Sequence, residues 1–257
     1  MIACKNCETD FEGKYCPNCG QKAKTRRITT AHVLDDLRQA VVHFDKGFLF
    51  TIMELTRRPG HAVRDFIEGK RANLMKPVKF TVWASALSFL VFHLVGLDDQ
   101  MMEIMRAGNP DFAKTEKLSR FFFEHTTLMM LAMIPTLALF SWAMLRRHAY
   151  NYAEHFVAMA FLMGQCSVFS VPMSLVQRWL GVTSINVYMV LPLLLWVGYV
   201  GWGMVQLLQP TRHKWLVWVK AGLSVLLGYF LLIFTIAIVF AILMLAFPNW
   251  MKAFLQS

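Results

Sequence analysis

The sequence predicts an all-α integral membrane protein, with about five transmembrane helices preceded by interfacial amphipathic helices and a small N-terminal zinc ribbon. Three observations predict this class. Hydrophobic residues make up 56% and charged residues 16% of the 257 residues, against roughly 45–50% and about 25% in soluble domains. The apolar residues gather in long runs after Phe80, whereas most charge precedes it. Two Cys-x-x-Cys pairs open the chain. The division that follows is a ribbon over residues 1–24, basic juxtamembrane helices over 25–79 and a membrane bundle over 80–257.

The ribbon is Cys4-Lys5-Asn6-Cys7 followed by Cys16-Pro17-Asn18-Cys19-Gly20. Each pair can wrap one tight turn, so that two sulfurs converge. Two such turns supply four thiolates, which suit tetrahedral Zn2+. Pro17 stiffens the second turn, and Gly20 lets the chain leave it with positive φ. Four sulfurs leave no open coordination position, so the expected metal is structural. Iron on the same sulfurs and redox-active thiols remain alternatives. A disulfide pair is disfavoured in a reducing compartment. About twenty residues cannot bury a sufficient core, so the plain role is a fold staple. The sharper role is docking to a protein or nucleic acid.

Thr29 or Thr30 can cap a helix from Ala31 that aligns Val33, Leu34, Leu37, Val41 and Phe44. A second helix is expected over Phe48–Thr56, with a break at Arg57-Arg58-Pro59-Gly60. A third covers His61–Glu68 and stops at Gly69. Arg57, Arg58, Arg64, Lys70, Arg71, Lys76 and Lys79 lie in the same stretch. Apolar stripes beside dense positive charge read as helices in the membrane interface, where each cation contributes about 1 kcal/mol against an anionic surface. Arg64, Lys70 and Arg71 are the expected phosphate pocket for a lipid headgroup. The plain alternative is that these charges only set topology.

The five expected spans are Phe80–Leu97, Leu128–Leu145, Phe156–Val176, Val187–Leu208 and Ala221–Phe247, each near the roughly 20 residues a crossing needs. Asp98 to Glu124 reads as a loop. Alternating the connections puts 20 of the 26 Lys and Arg on one side and 6 on the other. The positive-inside rule then places the N-terminus in the cytosol and the C-terminus outside. Trp83, Trp142, Trp179, Trp215, Trp218 and Trp250 fall near span ends, where amphipathic rings prefer the interface. No secretory signal pattern opens the sequence, so the spans themselves are expected to direct insertion. The net charge of +10 points to anionic phospholipid headgroups and away from nucleic acid, because the cations cluster beside apolar spans.

Ionisable residues in a span are functional candidates. Glu154 and His155 open the third span, and form either a proton or substrate site beside Arg146, Arg147 and His148 or the end of a capping box begun by Asn151. His93 and His125 lie at similar depth and could meet. Hydrogen bonding between helices accounts for Gln165, Ser167 and Ser170, and close packing for Cys166, Gly198, Gly201 and Gly203. No nucleotide-binding, hydrolase or metalloprotease motif is present. The function expected is therefore a non-enzymatic adaptor whose ribbon and basic helices contact a cytosolic protein or lipid headgroups. A transporter or lipid-handling site near Glu154 and His155 is one alternative. An enzyme acting on a phosphorylated lipid is the other. A second copy of the chain is a further partner the sequence allows.

Several strings resemble a bacterial family known only as domain-of-unknown-function family 3667. They are Tyr15-Cys16-Pro17-Asn18-Cys19-Gly20-Gln21, Thr51 to Leu55 leading into Arg58-Pro59-Gly60, and Phe66-Ile67-Glu68-Gly69-Lys70-Arg71 with Pro77. Tyr152-Ala153-Glu154-His155 is a weaker echo. Members commonly carry Tyr after the Gly-Lys-Arg, where this chain has Leu74. The resemblance implies a zinc ribbon followed by several spans in a bacterial inner membrane, and no activity.

Overall fold

The computed structural model describes residues 1–25, 27–33, 47–108, 112, 116–146, 150–182 and 184–247. A two-stranded antiparallel sheet, β1 (Ile2–Ala3) and β2 (Asp10–Phe11), opens the chain. Nine helices follow among the described residues. They are α1 (Phe48–Arg57), α2 (Pro59–Glu68), α3 (Pro77–Leu94), α4 (Leu97–Gly108) and α5 (Glu116–Glu124), then α6 (Thr126–Leu145), α7 (Tyr152–Trp179), α8 (Ile185–Leu207) and α9 (Lys214–Ala246). Five of them, α3 and α6 to α9, are long and apolar enough to cross a membrane. The expected first helix lies almost wholly outside the described residues, as do Arg147, His148 and Trp250; of that helix only its start up to Val33 is described.

Helix α7 is the centre of the bundle. Ala158 to Met163 are six consecutive residues at 1% exposure or less. A helix apolar on every side must be surrounded. Helix α3 packs along it, α6 and α8 flank it, and α9 closes the outer side against α6 and α8. The α3–α7 crossing depends on small residues. A Cβ on Gly164 would stand 2.9 Å from the Phe80 ring and 3.1 Å from Thr81 Cα. Thr81 Oγ1 donates to Ala160 O at 2.6 Å, and Ser88 Oγ donates to Ser167 O at 2.9 Å. Close backbones joined by hydroxyls are how helices associate without a hydrophobic driving force. Gly201 and Gly203 likewise admit Trp218 and Leu162, but Gly198 has nothing within 4 Å.

Several boundaries differ from expectation. Arg58 alone separates α1 from α2, since Pro59 starts α2 at its first helical position, where its fixed φ is already helical. Pro77 likewise starts α3 three residues early. The capping box at Asn151 starts α7 at Tyr152. Helix α9 starts at Lys214, ahead of the expected Ala221, and runs 33 residues, roughly 50 Å at 1.5 Å per residue. The stretch from Asp98 to Glu124 is not a simple loop, for it contains α4 and α5. Leu97, Met101, Met102 and Ile104 are buried at spacings that suit one face of α4.

Helices α1 and α2, expected as interfacial, pack part of their apolar surface against the bundle. Ala62, Val63, Phe66 and Ile67 of α2 are buried, and the helix packs against α7 and α8. Helix α1 buries Phe48, Thr51 and Leu55 while Leu49, Phe50 and Met53 stay exposed.

Candidate metal centre and its docking site

The ribbon is built from two copies of one turn, twelve positions apart. Cys4 N–H donates to Thr9 O at 3.0 Å and Glu8 N–H to Cys4 O at 2.8 Å. Cys16 N–H donates to Gln21 O at 2.8 Å and Gly20 N–H to Cys16 O at 2.9 Å. Ala3 pairs with Asp10 beside the first turn and Tyr15 with Lys22 beside the second. Each turn needs a residue with positive φ just after its second cysteine. Gly20 supplies it at 73°, as expected, and Glu8 adopts it at 60°.

The two turns face each other and bring the four sulfurs within 4.8 Å of one another. Cys4 and Cys19 are 3.5 Å apart, as are Cys7 and Cys16. Sulfurs around a tetrahedral zinc would be separated by ~3.8 Å, from a Zn–S distance of about 2.3 Å. The donor set therefore fits a metal ion, and all five cysteines are free thiols. Cys4 and Cys16 are buried, with Phe11 the main other apolar residue of the small core. The Cys7 thiol is drawn down to about 6 by hydrogen bonding to the Thr9 side chain and backbone. Burial pushes the Cys19 thiol up to about 11. Metal binding needs thiolates, so loading the site would release protons from this cluster.

The ribbon is docked to the helices. Gln21, 7% exposed, accepts through Oε1 from the backbone N–H of Arg71 at 2.8 Å and of Ala72 at 3.1 Å. Thr25 and Lys5 lie against Gly69, whose φ of 112° ends α2. Arg27 then forms a two-pronged pair with Glu154, Nε to Oε1 at 2.7 Å and Nη2 to Oε2 at 2.9 Å. Asn151 Nδ2 donates to Ile28 O at 3.2 Å.

Glu154 is 2% exposed. Besides Arg27 it accepts from Asn151 N–H at 2.7 Å, and its own N–H donates to Asn151 Oδ1 at 2.9 Å. The capping box expected from the sequence is thus formed, and the cation on Glu154 is Arg27. His155 Nδ1 shares a hydrogen bond with Ser141 Oγ at 2.9 Å inside the bundle. Sequence reasoning missed Arg27, which lies 127 positions from its partner. One cation among several in a basic linker carries no local signal for so distant a carboxylate.

Arg64, Lys70 and Arg71 do not share a target. Arg64 reaches the end of α8, donating through Nη2 to Gln206 O at 2.6 Å and Gln209 O at 2.9 Å, and through Nε to Leu207 O at 3.1 Å. Gly60 N–H donates to Gln206 Oε1 at 3.0 Å, and a Cβ on Gly60 would overlap Gly203 O. Lys70 pairs with Asp65 at 3.1 Å. Arg71 donates to Phe66 O and lies over the Phe66 ring. The single three-cation pocket expected is not assembled, because each group meets a different acceptor. Nor are His93 and His125 given to each other: His93 pairs with Asp98 at 2.7 Å, and His125 bonds Phe121 O at 2.8 Å.

No curated protein and no solved structure matches the chain. The anticipated resemblance finds support over the α1–α2 hairpin and the start of α3, while the cysteine turns and Glu154 lie beyond the matched stretch. Residues 45–89 match the family described as protein of unknown function (DUF3667).

Proposed function

We propose that the protein is a non-enzymatic membrane adaptor, in which a structural zinc ion holds a cytosolic ribbon rigidly against a five-span bundle. The observation that carries this reading is the docking of the ribbon. Gln21 grips the α2–α3 turn and Arg27 grips the first turn of α7. A free tether would need neither contact. The closed set of four sulfurs supports a structural ion, and thiolates held for a metal suit a reducing compartment. The excess of Lys and Arg before the first span supports placing that compartment in the bacterial cytosol. Glu154 and His155 are engaged by a helix cap, Arg27 and Ser141, which favours a supporting role over a transport site.

The test is purification of the full chain in mild detergent, with elemental analysis and mass spectrometry of co-purifying proteins. One zinc per chain is expected, with a partner set that Cys16→Ser loses and His155→Ala keeps. Absence of zinc, or partners indifferent to Cys16→Ser, would refute the adaptor reading.

A further inference from the structure

Docking of the ribbon creates a cavity of about 540 Å³ between the ribbon's exit, the α2–α3 turn and the starts of α3 and α7. Four cations line it: Lys22, Lys24, Arg71 and Lys76. No carboxylate is among the described residues that line it. Besides Gln21, Thr25 and His32 the rest of the wall is apolar, with Phe66, Leu74, Val78, Phe156 and Val157. Cations set among this much hydrocarbon do not suit a water-soluble anion alone. They suit an anionic amphiphile.

The position adds to this. Val78 and Phe156 belong to the first two turns of α3 and α7, two of the helices apolar enough to cross a membrane. The cavity therefore lies where these two helices begin, at one end of the bundle. Lys76 stands at the N-cap of α3, where the N–H groups and dipole of a helix start favour a phosphate.

We infer that this cavity holds one anionic phospholipid, its phosphate against Lys22, Lys24, Arg71 and Lys76 and the upper part of an acyl chain along the apolar wall. This deepens the adaptor reading and rests on it, since the ribbon supplies two of the four cations. A lipid held there would tie the ribbon to the membrane face as well as to the helices.

The test is native mass spectrometry of the full chain in neutral detergent, titrated with phosphatidylglycerol or phosphatidylcholine. Wild type is expected to retain one phosphatidylglycerol. The surface double variant Lys22→Ser/Lys24→Ser should bind it about 30-fold more weakly, given what each cation contributes beside an anionic lipid surface. Lys14→Ser/Lys214→Ser, with the same loss of charge elsewhere, should bind as wild type. Equal losses in both double variants, no loss in the first, or equal affinity for phosphatidylcholine would overturn the proposal. Competition by glycerol 3-phosphate at lipid-like concentrations would overturn it too, by showing that the apolar wall takes no part. Zinc is counted in the same samples. Zinc without lipid sinks the lipid site alone, and lipid without zinc sinks the metal reading alone.

Discussion

Arg64→Lys separates a helix cap from a phosphate clamp, because it keeps the charge and removes the fork. The guanidinium reaches the carbonyls of Gln206, Leu207 and Gln209 at 2.6–3.1 Å. These belong to the terminus of α8, whose last carbonyls have no partner within the helix. A lysine ammonium at the same site keeps the favourable dipole interaction, but its compact, mobile head is expected to satisfy about one of the three. Hydrogen bonds to a charged group contribute roughly 1.5–3 kcal/mol each. Arg64 is only partly buried, so water replaces much of what is lost. The net cost of Arg64→Lys should be about 2 kcal/mol. For a chain of this size that corresponds to a Tm lower by about 4–8 °C. Thermal unfolding in detergent, followed by circular dichroism, measures it. Hydrogen exchange should localise the effect to α2 and the end of α8, since α2 is held there through Arg64 and Gly60. Wild-type Tm and protection, together with weakened binding of anionic lipid, would refute the cap and restore the clamp.

Cys16→Ser should reduce bound zinc from one per chain to near zero and open the ribbon to protease, while the five spans still insert; inductively coupled plasma mass spectrometry and limited proteolysis read both. Asn151→Ala should cost about 1 kcal/mol through the α7 cap, seen as a lower Tm without loss of zinc. Glu154→Gln should additionally release Arg27, and faster tryptic cleavage at residue 27 than in Asn151→Ala is the measurement that distinguishes the two. Gly164→Leu should force α3 away from α7 at a cost of about 1–3 kcal/mol or more, read as lower thermal stability, whereas Gly198→Ala should be silent because that position faces open space.

The ribbon was readable because its chemistry is local. Cys4 to Cys19 span sixteen positions, and the second turn carries its own punctuation in Pro17 and Gly20. The spans were readable for a related reason, since burial in hydrocarbon requires long apolar runs whatever surrounds them. Boundaries slipped where a cap overrode hydropathy, as at Pro59, Pro77 and Asn151. Helix α4 was missed because its polar face dilutes the apolar one, leaving only Leu97, Met101, Met102 and Ile104 to mark it.

Sequence alone therefore determined the five helices long and apolar enough to cross a membrane and the four-cysteine donor set, because each follows from composition or from neighbours within a few residues. Tertiary structure alone decided what the charges do. Arg27 finds Glu154 across 127 positions, Arg64 crosses to the end of α8, and Lys22 and Lys24 come to stand opposite the starts of α3 and α7. A charge acts through space over a few ångströms, and its partner's place in the chain is set by how the helices pack and not by its own neighbours.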